Sequence, residues 1–358
     1  MEPASHRKQV ARSDSSESQP ESDGSTSEND ASSRSDVKGS MSSLRCFPIS
    51  LPGMPFATSA TQLSPTRKKD RGSRLKIYED IPKWLQNNHF IRDGYLVHCS
   101  ASECIQSIWH WHNETLNIWT HLLGFFFLLG IFLYDVYFRL PLIGANSRDT
   151  WACILITGTY CFTLLLSSIY HTFKCMNKKM YYLLLKTDVV GIGMSLSATI
   201  MSGTYYGFHD NEFWQTFYLT CEIIILSIIY FVTFHPVMGQ PQFEPQRNVV
   251  IASYVLFAMV PTAHWVMLNG LESPIIQFLL HRVVMVFVHA GVALVIFARR
   301  FPECLYPGTM DCIGASHQIW HLFVILAKLW WHETGFMFLQ CHLQKSCDKD
   351  AFKSPVFW

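Results

Sequence analysis

Residues 316–340 read SHQIWHLFVILAKLWWHETGFMFLQ, and this stretch decides the architecture. It is long and apolar enough to cross about 30 Å of hydrocarbon as a helix, which takes roughly 20 residues. Yet it opens with His317 and His321, four positions apart and therefore on one helical face. Imidazole is the commonest side-chain metal ligand, and polar groups inside a membrane mark function more often than not.

Six further apolar stretches of similar length precede it, at about 117–138, 150–173, 182–205, 213–235, 248–268 and 278–299. Short polar runs such as KCMNKKM, FHDNE and NGLESP separate them. Of the 358 residues, 49% are hydrophobic and 15% charged, against about 25% charged in a typical soluble domain. The expected fold is an all-α membrane protein, a seven-transmembrane-helix bundle. Net charge is +1, and there is no arginine-rich stripe or zinc-finger spacing, so nucleic acid is not an expected partner.

The basic residues orient the bundle. Loops 2, 4 and 6 carry Lys174, Lys178, Lys179, Arg247, Arg299 and Arg300, whereas loops 1, 3 and 5 carry only Arg139 and Arg148. The even loops are therefore expected in the cytosol, with a cytosolic N-terminus and a lumenal or extracellular C-terminus, opposite to a G-protein-coupled receptor. The N-terminus has no apolar core of the kind a cleaved signal peptide needs.

Four regions follow. Residues 1–74 form a serine-rich, acidic arm with a basic patch at Arg67-Lys68-Lys69-Asp70-Arg71, too poor in apolar side chains to order itself. Residues 75–116 mix Trp84, Phe90, Tyr95, Trp109 and Trp111 with polar residues, as expected of short amphipathic elements at a membrane interface. A glycine turn is expected at Gly94, and His110 and His112 are expected beside the interfacial tryptophans. Residues 117–340 are the bundle and 341–358 a short tail, in which Cys341 and Cys347 can pair if it faces an oxidising lumen. The other nine of the eleven cysteines are scattered singly.

On this topology the second span ends at the cytosolic face with Ser167-Ser168-Ile169-Tyr170-His171, and the third starts there with Lys186-Thr187-Asp188. The seventh starts there with His317 and His321. Three histidines then share one membrane level with a carboxylate. Three imidazoles with an open position suit a catalytic zinc more than a closed structural one, and Asp188 would serve a metal-bound water or orient a ligand. A metal-free hydrogen-bond network among the same side chains is the competing arrangement. His264 and His289, alone in spans five and six, are expected to bond between helices. Glu114, Asn117, Trp119 and His121, at the entry to span one, are expected to form a structural polar cap.

Together these motifs resemble the progestin and adipoQ receptor (PAQR) family, related to the haemolysin III proteins and the adiponectin receptors. They are Glu114-Thr115-Leu116-Asn117-Ile118-Trp119-Thr120-His121, Ser167-x3-His171, Asp188 and Ser316-His317-x3-His321. The resemblance implies a zinc ion on His171, His317 and His321 near the cytosolic face, with Asp188 and Ser167 holding the zinc-bound water. Within the family the chain is most similar to a Golgi-anchored branch that traps Raf kinases and dampens ERK signalling. That implies a Golgi-membrane scaffold, with a cytosolic kinase docking on residues 1–116; the plasma membrane is the alternative site. The adiponectin-receptor branch implies instead a zinc-dependent amidase acting on a ceramide-like lipid, with a lipid ligand inside the bundle. A steroid or adipokine receptor is the third possibility.

Overall fold

A computed structural model of the chain describes residues 75–237, 243–344 and 347. The acidic arm and its basic patch lie outside these residues. Seven helices among them are long and apolar enough to span a membrane. After the short helix α1 (Ala101–Ser107) these are α2 (Thr115–Leu142), α3 (Ser147–Phe173), α4 (Lys178–Gly207), α5 (Glu212–Phe234), α6 (Pro245–Asn269), α7 (Pro274–Arg299) and α8 (Ser316–Gln344). The described residues contain no β-sheet beyond an isolated bridge between Lys76 and Tyr95.

Local chemistry explains where the spans begin. Asn146, Asn177 and Asn211 precede α3, α4 and α5, and each side chain accepts a hydrogen bond from a backbone N–H of the first turn, an N-cap worth about 1 kcal/mol. Glu303 does the same service for α8 from the preceding loop. Its fully buried carboxylate accepts from the Ser316 backbone N–H at 2.7 Å and from the Ser316 hydroxyl, placing negative charge at the positive end of the helix dipole. In α6 the helical ladder breaks at Ala258, because Pro261 has no N–H to offer Phe257.

Consecutive helices α2 to α5 pack in sequence, and α8 packs against α2, α3, α4 and α7. Half of the apolar window of α8 is buried, against 22% for each of α4 to α7, so α8 is the central helix. The basic end of the bundle is plugged by the segment before α2. Ile81, Leu85, Ile91 and Tyr95 are buried against Tyr170, Tyr181 and Ala315, and α1 meets the end of α3 where Cys104 and Cys175 bring their sulfurs to 3.5 Å. Gly94 turns this segment with φ +87°, and its carbonyl accepts from the Asn113 N–H.

The opposite end is tied by buried charges. Arg139 donates two 2.8 Å hydrogen bonds to the Glu333 carboxylate and stands 3.7 Å from Asp135. His332 places Nε2 2.8 Å from Asp135 and Nδ1 3.2 Å from the Thr157 hydroxyl. Asp135 and Arg139 bracket a π-helical turn in α2, which brings both side chains to the α8 side. Cys341 and Cys347, beyond this network, form a disulfide.

Candidate metal centre

The plug carries chemistry into the bundle at Glu114, immediately before α2. Its carboxylate lies 2.7 Å from His171 Nδ1 and 2.7 Å from Lys174 Nζ, and it accepts from the Asn113 and Asn117 side-chain amides. Burial opposes a charge here, yet Lys174 and His171 hold the Glu114 carboxyl well below the usual carboxylate range. An ionised carboxylate on Nδ1 keeps the proton there and leaves His171 Nε2 as a lone-pair donor.

That Nε2 faces His317 Nε2 at 3.2 Å. His321, one turn further along α8, has its ring centroid 4.7 Å from that of His317 and 5.0 Å from that of His171. Its Nδ1 lies 3.1 Å from the Thr120 hydroxyl, and its ring stacks on His121 at 3.5 Å. One nitrogen from each of His171, His317 and His321 lies within 4.8 Å of the others. Zinc holds imidazole nitrogens at about 2.0–2.1 Å, so two tetrahedral ligands stand about 3.3 Å apart. The donor set and the His171–His317 spacing fit such an ion, and the Glu114–His171 pair is the carboxylate–histidine arrangement that orients metal ligands.

A cavity of about 460 Å³ opens on this centre and runs into the bundle between α4, α6, α7 and α8. His317 and Asp188 are only partly buried, and both line the cavity. Asp188 sits beside Ser167 and within electrostatic reach of His171. The arrangement therefore gathers three imidazoles, a carboxylate and a hydroxyl at the mouth of an apolar chamber.

The cap expected at the start of α2 divides in two. Glu114, Asn117 and His121 join the histidine centre, whereas Trp119 turns to the membrane interface, donating to the Ile108 carbonyl at 2.9 Å and packing on Trp109. Trp109, His110 and Trp111 are exposed as an interfacial group. His112 is not: it is 2% exposed and accepts from the Glu114 N–H, because the chain must turn inward there to start α2. Burial lowers its basicity. His264 bonds between helices as expected, to Tyr218 at 3.0 Å. His289 does not; its Nδ1 is buried without a hydrogen-bond partner. Lys174 and Glu303 join the site without a sequence signal for it, Lys174 reading only as a sign of orientation, and Thr120 stands in the Glu114–His121 motif with no role expected of it.

Seven spanning helices around a buried three-histidine centre define a heptahelical membrane protein with a candidate intramembrane metal site. The haemolysin-III-related family model matches residues 109–332. The chain is 33% identical over 279 residues to mouse progestin and adipoQ receptor family member 3, covering 77% of this chain and 90% of that protein, and the human protein matches equally. It is 30% identical to Arabidopsis heptahelical transmembrane protein 1 over 288 residues (78% and 86%) and 32% identical to the Drosophila adiponectin receptor protein over 253 (70% and 56%). The chain belongs to the haemolysin-III-related family, among the progestin and adipoQ receptors. It is an integral, multi-pass membrane protein.

Proposed function

We propose that this protein is a zinc-binding signalling receptor or regulator whose metal centre faces a lipid-holding cavity. The observation that carries this reading is the convergence of His171, His317 and His321 from two distant helices, with Glu114 orienting the first of them. Elemental analysis of wild-type protein against His317→Ala/His321→Ala tests it.

The branch that the sequence motifs resemble would imply a scaffold role at the Golgi membrane, with a Raf-type kinase docked on the cytosolic N-terminal part. Within residues 1–116, the last forty or so contribute Glu114 and the plug to the bundle, so the separable docking segment is 1–74. Deleting 1–74 is expected to abolish co-purification of the kinase while the remainder still inserts and keeps its zinc. Undiminished recruitment would end the scaffold reading for that arm.

A second reading, hydrolysis of a lipid amide, is favoured by the position of Asp188 and Ser167 on the cavity side of the histidines. Zinc there would supply Lewis-acid catalysis. Asp188, steadied by Ser167, would take the proton from an attacking water, and the apolar chamber would hold the acyl chain. Asp188→Ala is then expected to lower fatty-acid release from a ceramide substrate by about a hundredfold or more, with zinc content unchanged. Equal turnover in the variant would sink this mechanism.

A further inference from the structure

Lys328 lies two helical turns below His321 on α8, about 10 Å deeper into the membrane. His317, His321, Val324 and Lys328 recur at helical spacing on one face, and all four line the cavity. Lys328 is 5% exposed. Its contacts are neutral: the Ser195 hydroxyl, with which it is hydrogen-bonded, and the face of the Tyr160 ring at 4.7 Å. Among the described residues no carboxylate pairs with it, in contrast to Arg139, which has Glu333 and Asp135, and Lys174, which has Glu114. An amine kept at mid-membrane without an acidic partner is costly, and the cavity that Lys328 lines offers such a partner a place.

The surroundings suit one kind of partner. Ser195 and Thr199 line the cavity beside Lys328; the Thr199 hydroxyl donates to the Ser195 carbonyl at 3.0 Å and is held by Tyr160 at 2.6 Å, which leaves the Ser195 hydroxyl as the free donor. On the neighbouring α7, His289 lines the same cavity with its ring 6.0 Å from that of Trp330 on α8, and its Nδ1 is buried without a partner. By helical rise, His289 lies about 15 Å and Lys328 about 18 Å from the basic end, nearly one depth. Beyond these polar groups the wall is apolar, with Leu196, Val255, Phe287 and Leu294.

We propose that the cavity binds a long-chain aliphatic carboxylate, with its carboxylate seated on Lys328 at mid-membrane rather than on the histidine centre. The Ser195 hydroxyl and His289 supply further hydrogen bonds, and the alkyl chain lies along the apolar wall. A carboxylate is favoured over a phosphate because one ammonium then neutralises one charge at this depth. The inference rests on the lipid-holding cavity proposed above and adds the chemistry of the lipid's head.

Equilibrium binding of palmitate and of hexadecanol to the full-length protein in phosphatidylcholine nanodiscs tests it. Wild type is expected to prefer palmitate. Lys328→Met, which removes an uncompensated amine and should fold, is expected to bind palmitate about tenfold more weakly or worse, with hexadecanol binding and zinc content unchanged. Lys328→Arg should retain the preference, and so should the zinc-free His317→Ala/His321→Ala protein. Equal binding of palmitate and hexadecanol by wild type would overturn the carboxylate assignment while leaving the lipid cavity standing. Binding of neither would overturn both. Loss of the preference in the histidine variant but not in Lys328→Met would place the carboxylate at the metal centre and refute the role of Lys328, and tighter binding of lysophosphatidic acid than of palmitate would refute the choice of anion.

Discussion

Purified protein carrying His317→Ala and His321→Ala together is expected to hold no zinc above background, against about one ion per chain in wild type, where three imidazoles complete the site. Both ligands leave at once, and His171 alone cannot retain the ion. Glu114→Gln should be milder. It preserves the shape of the side chain but removes the charge that fixes the proton on His171 Nδ1, so zinc affinity should fall by about 10–100-fold. His121→Ala serves as the control, since His121 stacks on His321 but lies outside the three-nitrogen cluster. Inductively coupled plasma mass spectrometry on folded, monodisperse material reads all three. Wild-type protein with no zinc, or full zinc in the double variant, would end the metal reading and leave a hydrogen-bonded histidine network in its place.

Glu333→Ala is expected to be among the most destabilising single changes in the bundle. It would leave Arg139, 8% exposed, without the bidentate partner that holds it at 2.8 Å. An uncompensated buried charge of this kind costs about 3–5 kcal/mol. Asp135, 3.7 Å away, offers only partial relief because His332 already engages it. Replacing both partners, as in Arg139→Met/Glu333→Leu, should recover most of the loss, since an apolar pair of similar volume is often neutral or better. A denaturant titration of wild type, Arg139→Met, Glu333→Leu and the double variant in the same detergent yields the coupling energy. A single variant as stable as wild type would show that the pair contributes little, and an equally unstable double variant would point to packing rather than charge.

Much of this fold was legible in the sequence because apolar runs and polar punctuation carry it locally. All seven spans were expected, and the edges differ where a charge or a cap altered the reading. The first span continues beyond 138 to Leu142 because Arg139, which reads as a loop residue, is buried against Glu333. The third begins at Lys178 rather than 182 because Asn177 caps it. The histidine centre was legible as well, since two of its members share one helix face and the third closes another span on the same level. Its supports were not. Glu114 meets His171 across 57 residues and Asn88 meets Glu303 across 215, and no local pattern announces such pairs. Lys328 is a different case: a lone lysine in an apolar run is visible in the sequence, but its neutral contacts and its place on the cavity wall are not.

Because α8 is at once the central helix and the carrier of His317, His321, Lys328, His332 and Glu333, its stations are related by rotation as well as by depth. Each residue turns the helix by about 100°, so a single insertion between His321 and Lys328 would swing the amine off the cavity and pull Glu333 away from Arg139 while leaving the histidines in place. Leu322 and Leu326, each half exposed toward lipid, can be exchanged for other apolar side chains at little cost. The helix works like a camshaft, tolerant of changes in surface and intolerant of changes in timing.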